Sequence, residues 1–470
     1  MLATIERAMD ETIRMEEIIS LAKRRGFIFP AGELYGGLAG IYDYGPLGSL
    51  LKEQIKKLWR DTFVFGREDI FLIDAAIIMG EKALSASGHV GGFSDPVVVD
   101  TKTGKQYRAD HLIESFGVEH AENLSLEEMN QIIKEKNILS PEGNALSEVK
   151  DFNLMLKTEL GASADSSNIA YLRPETAQGI FVNYKNIMDS MHPKIPFGVA
   201  QIGKAYRNEI TPRNSIFRLR ELEQMEIEYF INPKDWEKYF ELWRKEMHRW
   251  IELIGLDTEK VHEREVKGED LAHYSQRTID FEFDYLFGRK ELYGLAYRTD
   301  YDLKKHSEAS KTKLIYTDPH TGESFIPHVI EPSLGLDRTI LATLVSAYRE
   351  DEMDGKKRIY LALKHNLAPY RIAVSPLVKN KDFIVTKARD IFHNLKKRFG
   401  NVAWDDNGNI GKRYRRQDEI GTPFSLVVDY DTFEEGNLFE TVSIRERDTG
   451  KQERVAVNNL VNYFEEKFSE

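Results

Sequence analysis

A segment rich in arginine, glutamate and phenylalanine, residues 197–229, carries the residue types that bind a nucleotide. Its sequence, FGVAQIGKAYRNEITPRNSIFRLRELEQMEIEY, predicts two strands joined by a polar turn. The side chains that could do chemistry are Arg207, Glu209, Arg213, Phe217 and Arg220. A planar guanidinium binds phosphate and an aromatic ring stacks on a base, so this set suits a nucleotide. Such alternation is also typical of an ordinary half-buried strand, and a second segment is needed to decide.

That second segment is residues 326–341, IPHVIEPSLGLDRTIL. It predicts an apolar strand, a glycine-containing turn and a helix that begins near Arg338. The two segments resemble motifs 2 and 3 of the class II aminoacyl-tRNA synthetases. Motif 2 has Arg207-x-Glu209, a loop, and then Arg213 followed four residues later by Phe217, while motif 3 has Arg338 at the start of its helix. Both motifs occur in the expected order.

Further runs of sequence narrow the resemblance. They are YLRPETAQG at 171–179, ELYGLAYRTDYDL at 291–303, EPS at 331–333, SGH at 87–89, YRAD at 107–110 and GKRYRRQDEIGTPF at 411–424. Together they resemble the glycyl-tRNA synthetase family of the homodimeric type, over nearly the whole chain. This resemblance implies an aminoacyl-tRNA ligase that forms glycyl-adenylate from glycine and ATP, and then transfers glycine to the 3′ end of tRNA(Gly). AMP and pyrophosphate would be released.

The resemblance also implies site residues, position by position. ATP would be bound by Arg207, Asn208, Glu209, Phe217, Arg218, Leu219, Arg220, Glu221, Leu222, Glu291, Leu292, Gly335, Leu336, Asp337 and Arg338. Glycine would be bound by Arg108, Glu175, Leu222, Glu223, Gln224, Met225, Glu226, Arg298, Glu331, Pro332, Ser333, Leu334 and Gly335. Arg207 on the α-phosphate and Arg338 on the γ-phosphate would be the catalytic residues. Phe217 would stack on adenine, and Glu209 would bind the adenine amino group.

The chemistry of glycine agrees with such a site. Glycine offers no side chain, so a protein must hold its ammonium with carboxylates and its carboxylate with a cation. A filled pocket is enough to reject larger amino acids, so no editing domain is expected. Structural salt bridges are the alternative role for Glu175 and Glu331. The resemblance further implies Mg²⁺ on the phosphates, with Glu291 as the candidate metal-binding residue.

Composition excludes several other classes. The chain has 470 residues, which predicts two or three domains. It has no cysteine, which excludes disulfides, a thiolate nucleophile and a Cys-ligated zinc site, so no zinc is expected. No apolar run is long enough to span a membrane, and the first 18 residues mix acids into an amphipathic pattern unlike a signal peptide. A cytoplasmic location is therefore expected.

The net charge of −12 does not suit a nucleic-acid partner as a whole, so a local basic run has to supply the contact. The run Lys412, Arg413, Tyr414, Arg415 and Arg416 places cations around an aromatic ring. We expect it to bind tRNA. A charge run is also often no more than a solvated face. Sequence alone leaves both alternatives open.

The elements that position these residues predict an α+β fold with a largely antiparallel sheet. Helices are expected over residues 3–25 and from Pro46, followed by a strand near 70–73. This second helix and strand, about residues 45–75, correspond to motif 1, the dimer-forming element of class II synthetases, although its usual proline is missing. A homodimer is therefore expected from the resemblance. Strands are expected near 196–208, 217–231, 278–287 and 291–297.

The predicted domains are a class II catalytic domain, residues 1–355, and an anticodon-binding domain, residues 365–470. The first would contain a polar insertion at about 115–165, motif 2 at about 196–231 and motif 3 at about 326–345. In the second, alternating strands and helices predict a mixed sheet flanked by helices, with strands near 370–374, 402–404 and 425–428 and helices near 382–399 and 412–420. This pattern resembles the anticodon-binding domain of class IIa synthetases.

Two other functions stay open at this point. One is a synthetase-like accessory protein that binds nucleic acid but has lost catalysis, because fold does not dictate function. Such a protein typically lacks the arginine of motif 2 or motif 3, and this chain has Arg207 and Arg338. The other is a class IIa enzyme for a different small amino acid. It would have to explain Glu175 and Glu331 where a side-chain pocket would open.

Overall fold

The computed structural model describes residues 14–118, 120–121, 124–161, 169–268, 271–272, 274–353 and 355–469. Within these residues a seven-stranded sheet forms the centre of the molecule. Its strands are β1 (Ile70–Leu72), β2 (Phe197–Tyr206), β3 (Glu221–Ile231), β4 (Val261–Val266), β5 (Arg277–Tyr285), β6 (Gly288–Thr299) and β7 (His328–Gly335). Their order is β4-β5-β6-β7-β3-β2-β1. Neighbours run antiparallel except β1 and β2, which are parallel, so the predicted α+β fold is confirmed.

Besides the helical residues 14–24, five helices pack against this sheet in the described part of the chain. They are α1 (Pro46–Arg60), α2 (Ala177–Met191), α3 (Trp236–Leu253), α4 (Tyr301–Ser310) and α5 (Leu336–Ala347). Helices α1, α3 and α5 share one apolar core with strands β3, β5, β6 and β7, which includes Trp59, Trp243 and Trp250. Helix α2 covers a smaller core with Phe197 and Phe230. The sheet is therefore held between helical layers, which is what fixes the positions of side chains on its strands.

Helix α1 begins at Pro46, as the sequence predicts, because a proline at the first helical position has no amide hydrogen to leave unsatisfied. The side of the helix that faces the core includes Leu51, Ile55 and Trp59, which are fully enclosed. Of the predicted helix over 3–25, the described residues 14–24 are helical, and Ile18 and Leu21 are buried. The rest of this predicted helix, residues 3–13, lies outside the described residues.

The segment before β2 forms a separate small unit. Strand Ser94–Val99 pairs with Gln106–Arg108 on one side and Lys150–Asn153 on the other. Helices Ala109–Ser115 and Leu126–Glu135 pack on this sheet over a core that includes Val98, Ile113 and Met129. The unit thus starts earlier than the predicted insertion at 115–165, because pairing between strands distant in sequence leaves no mark in local composition.

The C-terminal part has its own mixed sheet and core. Its strands are β8 (Ile372–Pro376), β9 (Val402–Trp404), β10 (Phe424–Val428), β11 (Thr441–Glu446) and β12 (Gln452–Ala456), and its helices are α6 (Asp382–Phe399), α7 (Ile410–Glu419) and α8 (Leu460–Ser469). The strand order is β9-β8-β10-β11-β12, with β8 parallel to both of its neighbours. The predicted alternation of strands and helices is present.

Between the two sheets, residues 348–361 differ from expectation. The sequence predicts a charged, irregular connection from 351 onward, but Tyr348–Met353 and Lys356–Leu361 form a hairpin. Its Arg358 is buried and donates hydrogen bonds to the Arg447 carbonyl (2.6 Å) and to Asp418 (3.4 Å) in helix α7. Glu350 pairs with Lys357 and Asp351 with Arg358 within the hairpin, and Arg358 also contacts the C-terminal part, so tertiary contacts explain these charged residues.

Shorter elements complete the described chain. They are strands Ile28–Pro30, Tyr42–Tyr44, Ile78–Gly80, Leu156–Glu159, Ile169–Leu172, Tyr316–Thr317 and Ser324–Phe325, helices Glu81–Ala86 and His89–Gly92, a π-helical turn Asp61–Phe65, and 3-10 turns Glu33–Tyr35, Ser215–Phe217, Pro233–Asp235, Thr258–Lys260 and Val457–Asn459. The turn at Ser215–Phe217 delays the start of β3 to Glu221, four residues after the predicted start. None of the described helices combines the length and the apolar character needed to cross a bilayer.

Candidate active site

A cavity of 470 Å³ opens on one face of the central sheet. This size suits a small ligand or nucleotide. The predicted site residues that line it are Glu175, Arg207, Glu209, Phe217, Arg218, Leu219, Leu222, Glu223, Gln224, Glu226, Glu291, Leu292, Glu331, Ser333, Gly335, Asp337 and Arg338. The structure therefore brings most of the predicted ATP and glycine residues together in one place.

Strand geometry explains why these side chains meet. Alternate residues of a strand point to the same face, so Gln224, Glu226 and Glu228 share one face of β3, and Glu331 and Ser333 share one face of β7. The register places Glu226 opposite Ser333. On the other side of β7, Glu331 lies opposite Ala296 of β6, and that small side chain leaves space above the sheet.

At the inner end of the cavity, three acidic side chains surround a small space. Glu226 accepts a hydrogen bond from the Ser333 hydroxyl (2.7 Å) and another from the Thr176 hydroxyl. Glu331 accepts one from Arg298 Nη1 (2.8 Å). Arg298 is almost fully buried, and Asp302 holds it through two further bonds of 2.9 and 3.0 Å. This end of the cavity is suited to a small cation such as an ammonium group.

Glu175, the third acid, is fixed by partners from other elements. Gln178 donates a hydrogen bond to it (3.0 Å), and His89 Nε2 lies 3.5 Å from its Oε1. The other ring nitrogen of His89 is 2.8 Å from the Ser87 hydroxyl. Burial acts to raise the pKa of Glu175, but His89 and Arg298 outweigh burial and hold the pKa well below its ordinary value. Glu175 is therefore an ionised carboxylate facing the cavity.

The outer end of the cavity has the aromatic and cationic groups. Arg338 Cζ lies 4.5 Å from the centre of the Phe217 ring, and Arg338 pairs with Glu291 at 3.1 Å. Tyr285 and Phe287 pack edge-on against Phe217 with ring centroids 5.2 and 5.1 Å away. One face of Phe217 is thus covered by a movable charged side chain, while the packed aromatic residues hold the ring in place.

Motif 2 supplies two further charged groups between these ends. Arg207 donates from Nε to the Pro174 carbonyl (3.1 Å), and its guanidinium lies 5.5 Å from the centre of the Phe93 ring. Arg218 Nε donates to the Glu209 carboxylate (2.6 Å). Arg207 lines the cavity, and Glu209, which also lines it, is held in place by Arg218.

Some predicted residues lie outside the cavity lining as far as the described residues show. They are Arg108, Asn208, Arg220, Glu221, Met225, Arg298, Pro332, Leu334 and Leu336. Met225 and Leu334 are buried in the main core because they alternate with the cavity residues on their strands, and Leu336 is buried there at the start of helix α5. Arg220 donates to the Ala39 carbonyl, and Glu221 pairs with Lys204. Arg298 lies behind the cavity wall and contacts the site through its hydrogen bond to Glu331.

Arg108 also contacts the site only indirectly. It pairs with Asp110 and with Asp95 (2.8 Å), and Asp95 lies 3.7 Å from Arg218.

Two other predicted residues line the wall of the cavity with their carboxylates engaged elsewhere. Glu223 pairs with Lys52 and Lys56 of α1, and Asp337 accepts the Glu223 amide hydrogen (2.7 Å). Both carboxylates attach helix α1 and helix α5 to the sheet.

The predicted metal-binding residue Glu291 has a second carboxylate near it. Asp280 lines the same cavity and pairs with Arg264. Burial and, next, the negative charge of Glu291 raise the pKa of Asp280 to about 6. One or two carboxylates beside substrate phosphates is the usual protein contribution to a magnesium site. The donor set therefore fits Mg²⁺.

The structure does not bring the five residues of the predicted tRNA-binding run to one exposed face. Arg413 is 3 % exposed and donates to the carbonyls of Pro376, Asp406 and Gly408. Arg416 pairs with Asp405 (2.7 Å), Arg415 donates to the Lys356 and Lys357 carbonyls, and Tyr414 packs under Arg445. Lys412 is exposed. The run is a helix, so its side chains diverge, and Arg413 belongs to the interior.

Sequence reasoning missed several residues that shape the site: His89, Gln178, Tyr274, Asp280 and Asp302. Gln178, His89 and Asp302 occur in runs that the family resemblance singles out, so that signal was available. Tyr274 lines the cavity and lies under Arg298, whose Cζ is 3.9 Å from the ring centre. Tyr274 and Asp280 stand in no such run, and only the fold places them at the cavity.

Comparison with known proteins agrees with this geometry. The family described as "tRNA synthetase class II core domain (G, H, P, S and T)" matches residues 161–348, and the family described as "Anticodon binding domain" matches residues 371–467. The glycine--tRNA ligase of Caldanaerobacter subterraneus subsp. tengcongensis is 46% identical over 466 residues, covering 98% of this chain and 99% of the relative. The chain belongs to the glycine--tRNA ligase family.

Other members of the glycine--tRNA ligase family are equally similar. The Geobacillus thermodenitrificans protein is 46% identical over 473 residues and the Alkaliphilus metalliredigens protein is 46% identical over 461 residues. These alignments cover 99% and 96% of this chain, and 100% and 98% of the two relatives. Because both ends of the glycine--tRNA ligases are matched, the resemblance inferred from short motifs is confirmed for the class II core and the anticodon-binding part together.

Proposed function

We propose that this chain activates glycine with ATP to form glycyl-adenylate and pyrophosphate, and then transfers glycine to the 3′ end of tRNA(Gly), releasing AMP. The observation that carries the proposal is one cavity that holds both sets of residues. Glu175, Glu226 and Glu331 lie at its inner end, Arg338 lies at its outer end, and Arg207 lies between the two ends. Three acids suit an ammonium group and two arginines suit a triphosphate, so the two substrates would meet between them.

Glycine would bind with its ammonium among the three carboxylates. Burial raises the pKa of Glu331, with the Arg298 guanidinium opposing that rise. A bound ammonium adds a second cation beside Glu331 and favours its ionised form further. Larger amino acids would be rejected because Tyr274 and Arg298 fill the space behind the acids, which a side chain would need. Steric exclusion of a larger side chain discriminates between amino acids more strongly than a favourable contact with one methylene group, which is worth about 1 to 3 kcal/mol.

ATP would stack its adenine on Phe217, with Glu209 binding the adenine amino group. Since Tyr285 and Phe287 pack against the ring, the face covered by Arg338 is the one that a base can use. Arg338 would then lie over the base while contacting the γ-phosphate. Both contacts together require the triphosphate to fold back toward the adenine.

The first reaction needs no general base. The glycine carboxylate is already ionised at neutral pH and attacks the α-phosphate directly. Catalysis then consists of positioning and of charge stabilisation, with Arg207 at the α-phosphate. Asp280 and Glu291 would hold Mg²⁺ against the phosphates, and the ion would supply additional positive charge there.

The second reaction needs tRNA. We propose that residues 365–470 bind the anticodon and that residues 1–355 carry the catalytic site, a division supported by the separate apolar cores of the two parts. Among the predicted tRNA-binding residues, exposed Lys412 is the best placed for a phosphate, with Arg415 and Arg416 at its side. Arg413 serves the fold. As a protein of translation, the chain is proposed to act in the cytoplasm, which cell fractionation would test.

We also propose a homodimer. Support comes from large apolar side chains left exposed near motif 1, namely Leu34 (88 %), Tyr35 (90 %), Leu38 (65 %) and Phe65 (69 %). Apolar side chains that are this exposed are typical of a protein interface when they form one patch. Sedimentation of the purified chain measures its mass directly, and a monomer at micromolar concentration would contradict the proposal.

The decisive experiment is amino-acid-dependent exchange of pyrophosphate into ATP, run across the twenty amino acids. Glycine alone should support exchange, and Arg207→Ala should lower the rate by about 100-fold or more, because one preorganised donor at a developing charge is worth about 3 to 4 kcal/mol. Arg249→Ala is the matched control, since Arg249 is exposed and paired only with Glu246. If none of the twenty amino acids supported exchange, the alternative of a binding protein without catalysis would be favoured. The presence of both Arg207 and Arg338 in the cavity argues against that alternative.

A further inference from the structure

Glu228 is a buried acid that the proposed reaction does not use. It lies on β3, two residues after Glu226, and is 0 % exposed. Neither of its carboxyl oxygens has a hydrogen-bond partner among the described residues. A buried carboxylate without a partner is among the most costly groups in a protein interior, so its presence needs an explanation.

The groups around Glu228 make a negative charge on its carboxyl group still more unfavourable. Oxygen atoms of Glu226, Glu228 and Glu331 all lie within 4.8 Å of one another. The charged groups that face Glu228 are Glu226 on its own strand, Glu331 on β7, Arg298 on β6 and Asp302 on α4. Arg298 has all its donated bonds on Asp302 and Glu331. Acids so close together cannot all ionise without compensation.

Hydrogen-bond donors decide which acid stays neutral. Glu226 accepts bonds from Ser333 and Thr176, and Glu331 accepts one from Arg298. Donors of this kind stabilise the ionised form. Glu228 has none. Burial raises the pKa of all three acids, so the missing donors, and not burial, distinguish Glu228 from Glu226 and Glu331.

We propose that Glu228 is a positioning residue that carries a proton at neutral pH, so that it lies beside Glu226 and Glu331 without adding a third negative charge. The proposal deepens the proposed function, because it rests on Glu226 and Glu331 being the ionised groups that bind the glycine ammonium. A neutral Glu228 fills the space behind these two acids and adds no charge of its own. The glycine pocket would thereby keep a defined number of negative charges.

The first test compares thermal unfolding of wild type and Glu228→Gln between pH 5 and 8. A buried acid whose folded-state pKa is raised gives its full stability below the unfolded pKa and loses it as the pH rises toward the folded pKa. Glutamine cannot ionise, so Glu228→Gln does not lose stability in this way as the pH rises. The difference in Tm, variant minus wild type, should therefore increase by about 2 °C for each pH unit above 5. Glu237→Gln, an exposed acid on α3, is the matched control and should give a constant difference.

The second test is the Michaelis constant for glycine in the exchange reaction at pH 7.5. Glu228→Gln should stay within about threefold of wild type, because glutamine keeps the shape and the neutral charge. Glu226→Gln and Glu331→Gln should raise the constant by tenfold or more. A flat Tm difference together with a tenfold loss in Glu228→Gln would overturn the proposal, since Glu228 would then be ionised.

Infrared spectroscopy covers the case in which Glu228→Gln does not fold. Wild type at pH 7.5 should have a carbonyl stretching band of a protonated carboxylic acid, and its absence would overturn the proposal. These measurements separate the two levels of inference. If wild type failed to exchange pyrophosphate with glycine, the proposed function would fall, while the Tm difference would still report the proton on Glu228.

Discussion

Arg338 lies across the face of Phe217, with its Cζ atom 4.5 Å from the ring centre, although the two residues are 121 positions apart. This distance is too short for a base to lie between them. Two stacked contacts of about 3.5 Å each require about 7 Å. ATP binding should therefore displace the guanidinium by roughly 2.5 Å and break its contact with Glu291, a movement that a structure with an ATP analogue would reveal.

Phe217→Leu should weaken ATP binding selectively. Leucine fills the space but cannot stack, and loss of one base contact costs about 1 to 3 kcal/mol, or about 5- to 150-fold in the Michaelis constant for ATP. The constant for glycine should change less than twofold in pyrophosphate exchange. Phe116→Leu, at a half-exposed phenylalanine far from the cavity, is the control. Equal losses for both substrates would mean that Phe217 serves the fold instead.

Glu175→Ala should weaken glycine binding much more than ATP binding. The substitution removes one carboxylate from the ammonium and leaves His89 and Arg298 without that partner. Breaking a buried charge pair costs about 3 kcal/mol or more, which corresponds to a hundredfold rise in the Michaelis constant for glycine. The same change at exposed Glu237 should leave both constants unaltered. A structural salt bridge would be indicated if thermal stability fell while the glycine constant did not change.

Asp280 should make the use of ATP depend on pH. Its pKa is raised to about 6, so it is ionised at pH 7.5 and protonated at pH 5.5. Protonation removes a negative charge next to Glu291, so the Michaelis constant for Mg-ATP should rise as the pH falls through 6. Asp280→Asn should show the higher constant at every pH and lose this dependence. Asp189→Asn on the surface of α2 should keep the wild-type profile.

Lys412→Ala and Arg413→Ala should separate tRNA binding from folding. Lys412 is exposed, so its loss should raise the Michaelis constant for tRNA and reduce the salt slope of binding by about 1, with no change in Tm. Arg413 is buried on backbone carbonyls, so its loss should destabilise the protein by about 1 to 3 kcal/mol. Unchanged charging by Lys412→Ala would leave the basic run without a role in tRNA binding.

The family and the fold class could be derived from sequence because they depend on local signals. Arg207-x-Glu209 and the run from Glu331 to Arg338 are contiguous, and the alternation in β5 and the proline that begins α1 are properties of neighbouring residues. Such patterns can be recognised from the sequence alone. The order of the site residues along the chain could therefore be predicted without the structure.

Tertiary structure alone decided which of these residues share a space. The sequence does not separate Arg413 from Lys412, yet one is buried and the other exposed because successive helix positions point in different directions. Tyr274 and Asp280 line the cavity, and the unpartnered Glu228 lies beside it, only because the fold brings distant segments together, which local composition does not encode. The charge state of a carboxyl group also depends on tertiary structure, because burial and neighbours from other strands set its pKa.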